Sequence, residues 1–305
     1  MELLRPPRVS PGDTVAVVAP SGPVPPESFA AGVASLGRRY LLRFDEATLF
    51  AARGFLAGPD GDRLASLQAS LRDPQVRAVI MARGGHGLLR IAHRIELDLL
   101  RAQNKPVIGF SDGTVLLAAA ARAGLAAVHG PVVNQLGRLA EADREALFAL
   151  LESPEPRPLF GQLETLRSGR AVGPLLGGNL EVFSRLLGTP LLPDLDGAIL
   201  FLEEVGERPY RIDRLLTHLE LAGVFQRVAG VIIGDLVSCE EPAESRIASP
   251  GALDVVRERL GRLPIPVVLG APFGHGERNR ALPYGVRVEL DAHAGTLDAL
   301  EGAVS

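Results

Sequence analysis

Three short apolar runs constrain this fold more than any other feature of the sequence. Each is stopped by a glycine- or proline-rich turn and followed by a helical pattern. Thr14-Val15-Ala16-Val17-Val18-Ala19 stops at Pro20-Ser21-Gly22-Pro23. Val76 to Met81 stops at Arg83-Gly84-Gly85-His86-Gly87, and Pro106-Val107-Ile108-Gly109-Phe110 runs into Ser111-Asp112-Gly113. Apolar runs without polar alternation read as strands buried on both faces. The stretches between them predict helices over 26–38, 60–71 and 112–123. Leu64, Leu67 and Leu71 share one face of the second. Ala126-Ala127-Val128 closes the series as a short strand. Strands alternating with helices predict an α/β fold, a parallel and Rossmann-like sheet flanked by helices.

At 305 residues the chain is longer than one such unit requires. Ser153-Pro154-Glu155-Pro156-Arg157-Pro158 cannot continue a helix and predicts a break. The expected organisation is an N-terminal α/β domain over 1–155, a linker over 156–170 and a C-terminal α/β domain over 171–305. In the second half Gly177-Gly178-Asn179 precedes a helical stretch to residue 187. Strands are predicted over 198–202, ending at Glu203-Glu204, and over 230–235 and 266–270, the last leading into Pro272-Phe273-Gly274-His275-Gly276. A helix is expected over 210–221, and an alternating late strand over 286–290.

Composition removes several functions. The 32 basic and 36 acidic residues give a net charge of −4, with no basic footprint for nucleic acid or an anionic membrane. Lys105, the only lysine, follows Asn104 rather than glycine, so there is no Walker A phosphate loop. No G-x-G-x-x-G joins a strand to a helix. Cys239 is the single cysteine, which excludes disulfides within the chain, CxxC pairs and cysteine-rich zinc sites. No histidine spacing suits a metal, and no cofactor is expected. The first residues lack the apolar core of a secretory signal, and no run of about 18 apolar residues occurs. A cytoplasmic protein is the expectation.

Gly109-Phe110-Ser111-Asp112-Gly113 has the G-x-S-x-G form between a strand and a helix. In that setting a tight turn lifts the serine hydroxyl out of the sheet, and the next N–H, of Asp112, points toward developing negative charge. The same pentapeptide also serves as an ordinary helix cap. Arg83-Gly84-Gly85-His86-Gly87, after another strand, lets backbone N–H groups approach a ligand or simply makes a tight turn. Among six histidines His275 stands out, held in a Gly-rich loop just after a strand. Strand alternation turns one of Glu203 and Glu204 inward and the other outward. An inward carboxylate needs a partner, which an imidazole would supply.

Together these segments resemble the LD-carboxypeptidase family of serine peptidases, which includes muramoyltetrapeptide carboxypeptidase and the microcin C self-immunity peptidase. The resemblance spans nearly the whole chain. It rests on Val18-Ala19-Pro20-Ser21-Gly22, the Arg83 and Gly109 loops, His129-Gly130-Pro131, Gly177-Gly178-Asn179-Leu180, Leu202-Glu203-Glu204 with Tyr210-Arg211-Ile212-Asp213-Arg214, and Gly274-His275. It implies Ser111 as nucleophile, His275 as base and Glu203 as orienter, with backbone N–H groups at Gly85 and Asp112 as the oxyanion hole. It also implies a triad split between two domains, a homodimer and a cytoplasmic muropeptide as small-molecule substrate. His86 replaces the tyrosine usual in the family's glycine loop, so Arg83, Gly84 and His86 become candidate substrate-binding residues with an altered wall. Carboxypeptidases bind a free carboxylate, for which Arg83, Arg208 and Arg278 are candidates. The lack of tryptophan fits the muropeptide branch better than the immunity branch. Alternatives with the same residues are a peptidyl-adenylate detoxifying peptidase, an α/β-hydrolase esterase and a non-catalytic muropeptide-binding module.

Overall fold

The structure is a computed structural model, and it describes residues 2–242 and 250–305. Its first sheet carries β1 (Thr14–Val18), β2 (Leu41–Arg43), β3 (Val76–Met81), β4 (Val107–Gly109) and β5 (Ala127–His129), all parallel. β3, β4 and β5 are buried nearly throughout, as their unbroken apolar sequences require. The second sheet holds β6 (Arg157–Phe160), β7 (Glu164–Arg167), β8 (Arg170–Asn179), β9 (Ile199–Val205), β10 (Gly230–Val237), β11 (Val267–Leu269), β13 (Arg287–Asp291) and β14 (Thr296–Ala299). Their spatial order is β6-β14-β13-β8-β9-β10-β11-β7, with β8 to β11 parallel.

Two features depart from the sequence expectation. Residues 156–170, expected as a linker, carry β6 and β7 at opposite edges of the second sheet. Proline is compatible with β6 because an edge strand leaves one row of N–H positions unpaired. The boundary at 171 is crossed as well. β12 (Leu282–Tyr284) leaves the C-terminal half and pairs antiparallel with β5 at the edge of the first sheet. The loop carrying His275 is therefore pinned at one end by β11 in the second sheet and at the other by β12 in the first.

The helix Thr114–Arg122 follows the Ser111 turn. Every side chain from Thr114 to Ala120 is buried. It packs on β4 and β5 and on β8 of the other sheet, which explains why it is apolar on all sides. At Gly178 a Cβ would lie 2.3 Å from Thr114 Oγ1, so the approach of β8 to this helix requires glycine. Lys105 Nζ donates to the carbonyls of Leu71 and Asp73, closing the C-terminal end of the helix Asp60–Arg72. Among the described residues no helix is long and apolar enough to cross a membrane.

Candidate active site

Ser111 begins the turn after β4 with φ of 59°, a left-handed conformation that costs a non-glycine residue about 1–2 kcal/mol. The turn is forced by its neighbours. A Cβ on Gly84 would lie 2.7 Å from Ser111 Cβ, and one on Gly113 would lie 2.8 Å from Met81 Sδ. Glycines at both places let the serine lie directly against the loop after β3.

His275 reaches this serine from the other side. Its Nε2 is 3.2 Å from Ser111 Oγ and its Nδ1 is 2.7 Å from Glu203 Oε2. An ionised Glu203 can only accept, which places the ring proton on Nδ1 and leaves the Nε2 lone pair for the Ser111 hydroxyl to donate to. The imidazole ring lies 4.5 Å from the Phe110 ring, centroid to centroid. Its loop is held by Asp235, whose Oδ2 accepts from Gly276 N at 3.1 Å, and by Asn279, whose Oδ1 accepts from Gly274 N at 3.3 Å. Burial pushes the Asp235 carboxyl above the usual carboxylate range, the Gly276 N–H opposes this, and the Glu203 charge adds to it. The arrangement can move a proton from Oγ to a ring whose orientation is fixed by a buried carboxylate.

Glu203 and Glu204 are both buried, at 0% and 2% exposure, so neither turns outward to solvent. Both carboxylates are enclosed, and both lie within reach of one side-chain amide. Asn179 links them. Its Nδ2 donates to Glu204 Oε1 at 2.9 Å and to Glu203 Oε1 at 3.3 Å, while its Oδ1 accepts from Val182 N and caps the next helix. Glu204 also accepts from Glu181 N and Val205 N, each at 2.8 Å.

Burial pushes the Glu204 carboxyl up to about 7, against the pull of the Val205 N–H and of Asn179, and the neighbouring Glu203 charge adds to the rise. The folded chain then holds this proton from pH 4.5 to about 7, where the unfolded chain releases it. Stability contributed by Glu204 is present below pH 4.5 and is lost as pH rises through 7. Relative to Glu204→Gln, wild type should lose about 3 kcal/mol between pH 4.5 and pH 8. Denaturant melts of both proteins at several pH values check this; parallel profiles would contradict it.

The glycine loop is anchored from below. Asp112 Oδ2 accepts from Leu88 N at 2.9 Å, tying the Ser111 turn to the segment after Gly87. Burial raises the Asp112 carboxyl and that N–H opposes the rise. The Arg63 side chain is fully buried; its guanidinium donates to the Pro20 carbonyl and to Gly87 O, and it pairs with Asp60. Sequence reading did not single out Arg63, because an arginine within an amphipathic helix gives no local sign of burial. His129 is wholly buried among Phe110, Phe201 and Phe273, and burial lowers its imidazole to about 3, so it is neutral beneath the site.

Ser111 and His275 open into a cleft of about 360 Å³. Arg83, Gly84 and Gly85 form one wall, Phe110, Val132 and Val205 are apolar lining, and Asn134, Gln135 and Arg138 complete it. Other sequence candidates lie elsewhere. His86 is exposed at the rim and meets Phe55 edge to face, with centroids 5.3 Å apart. Arg208 is exposed before the helix Pro209–Leu221 and does not line the cleft. Arg278 is paired with the buried Asp143 at 2.9 Å. Asn134 and Arg138 carry no motif and were not legible in the sequence. A larger groove of about 740 Å³ near Arg5, Arg122 and Arg287 brings together no nucleophile and base. Among the described residues no three His, Cys, Asp or Glu side chains are grouped to hold a metal ion.

The LD-carboxypeptidase N-terminal domain pattern matches residues 15–130, and the LD-carboxypeptidase C-terminal domain pattern matches residues 172–290. The probable murein peptide carboxypeptidase of Bacillus subtilis is 33% identical over 99% of this chain and 95% of its own length. The murein tetrapeptide carboxypeptidase of Pseudomonas aeruginosa is 34% identical over 78% of this chain and 80% of its own. The crystal structure of muramoyltetrapeptide carboxypeptidase from Oxalobacter formigenes superposes with a TM-score of 0.82 at 28% identity, covering 95% of this chain and 98% of that one. The microcin C7 self-immunity protein MccF shares the fold, with a TM-score of 0.87 at 23% identity over 99% and 100% of the two chains.

Proposed function

Because the chain belongs to the LD-carboxypeptidase family and is a serine-type peptidase, we propose that it releases the terminal D-alanine from the L,D bond of a murein tetrapeptide. The single observation carrying this reading is the Ser111–His275–Glu203 chain of contacts beside a glycine-lined cleft. Ser111 Oγ attacks the carbonyl of the L-centre as His275 Nε2 takes its proton. The backbone N–H groups of Gly85 and Asp112 hold the oxyanion, each contributing about 3 kcal/mol to the transition state. D-Alanine leaves with a proton from His275, and water activated by the same nitrogen hydrolyses the acyl-enzyme. Glu203 holds the productive tautomer and stabilises the imidazolium. The proposed setting is cytoplasmic peptidoglycan recycling by a homodimer with an N-terminal domain bearing Ser111 and a C-terminal one bearing Glu203 and His275.

Mass spectrometry of L-Ala-γ-D-Glu-meso-diaminopimelate-D-Ala incubated with the protein tests the reading. One alanine is expected to be lost. Intact tetrapeptide in the presence of folded protein overturns it.

A further inference from the structure

We infer that Arg138, assisted by Asn134, is the anchor for the free α-carboxylate of the leaving amino acid, an inference resting on the reading just given. The cleft contains two guanidiniums, Arg83 and Arg138, and none of its lining side chains is acidic. In a chain of net charge −4 that local excess of positive charge favours an anionic ligand.

Each arginine donates from Nη1 to one backbone carbonyl, and the two differ in exposure and in the side of the cleft they hold. Arg83 is partly buried, and its Nη1 donates to Pro23 O at 2.6 Å, toward the loop after β1. Arg138 is exposed, and its Nη1 donates to Gly276 O at 3.2 Å, on the residue next to His275. One of its donors is thus fixed against the base loop, and among the described residues it forms no ion pair, so the rest of the fork is open to a ligand. His275 must protonate the departing nitrogen, so the departing residue lies on the His275 side. Arg138 stands there, while Arg83 stands on the glycine-loop side.

Asn134 supplies an independent observation. Its Oδ1 is shielded from solvent and has no hydrogen-bond partner, although the residue lines the cleft. A shielded acceptor left empty is costly, and a turn of the Asn134 side chain toward the cleft would let a ligand N–H fill it. Arg138 is four residues on, just past the short helix Val133–Leu136 and its cap Gly137, and both residues line the same cleft. An empty acceptor beside an unpaired guanidinium complements an amide N–H and the carboxylate two bonds away from it. A C-terminal amino acid presents that pair of groups; an ester or an internal peptide bond does not.

The test compares release of D-alanine from the tetrapeptide with release of D-alaninamide from its C-terminal amide. Wild type should favour the free acid by about 100-fold in kcat/KM. Arg138→Met should lose that preference to within about three-fold, chiefly through a fall in kcat/KM for the free acid, and Arg138→Lys should recover part of it. Arg83→Met should keep the preference. Cleavage by wild type with the preference intact in Arg138→Met, or abolished in Arg83→Met, overturns this assignment alone. Release of alanine from neither peptide by wild type overturns the functional reading and this inference with it. Circular dichroism on each variant confirms folding, which the exposed position of Arg138 should preserve.

Discussion

Ser111→Ala is expected to lower the rate of D-alanine release by about 10⁵-fold or more while leaving the protein folded. The size follows from the geometry. Once Oγ is gone, the His275 Nε2 has no proton to take at 3.2 Å, and the remaining donors can only polarise a carbonyl for attack by water. The fold should tolerate the change, since among the described residues Ser111 Oγ is bonded only to His275. Ser111→Gly sharpens the test. It removes the same hydroxyl and also relieves a backbone held at φ of 59°, so it should be equally inactive and at least as stable as Ser111→Ala. Tetrapeptide turnover and thermal midpoints for the three proteins decide the matter. Either variant retaining more than about 1% of wild-type release would remove Ser111 from the chemistry.

That serine was legible because its requirements are local. A strand, a tight turn and a helix must follow one another within a short stretch, and the eighteen residues 106–123 state all three. His275 was legible for the same reason, as a loop glycine pattern after an apolar run. Glu203 and Glu204 were only half legible. The two-residue period predicts one inward and one outward, but it says nothing of what covers the strand on either side. β9 lies between β8 and β10, with His275 against Glu203, the helix Leu180–Ser184 against Glu204, and Asn179 bonded to both. β12 was hidden for a different reason. Its partner β5 is some 150 residues earlier in the chain, and a three-residue edge strand carries too little pattern to announce a pairing at that distance. Arg138 and Asn134 are equally silent in sequence, since neither lies in a motif and what singles them out, a bond to Gly276 O and an unpaired Oδ1, exists only in the folded chain.

Glu203→Gln should lower kcat for D-alanine release by about 10⁴-fold although it changes neither size nor shape. The reason is a conflict of donors. Asn179 cannot rotate, because its Oδ1 is engaged by Val182 N and its Nδ2 by Glu204. It therefore always presents an N–H to position 203. A glutamine there satisfies Asn179 only by turning its carbonyl toward it, which aims its own NH₂ at His275 Nδ1. That nitrogen must then accept, the ring proton moves to Nε2, and the base has no lone pair for the Ser111 hydroxyl. The opposite orientation restores the tautomer but sets two buried N–H groups face to face, at 0% exposure, and still leaves the imidazolium without its counter-charge. Glu204→Gln, one residue along, should cost less than about ten-fold in kcat, because it makes no contact with the ring and reaches Glu203 only through Asn179, whose Oδ1 stays engaged by Val182 N. The pair of measurements separates orientation from mere burial. Equal losses for the two substitutions would mean that both carboxylates act by holding β9 and its neighbours in place. A large loss at 203 with a small one at 204 assigns the effect to the 2.7 Å contact with Nδ1.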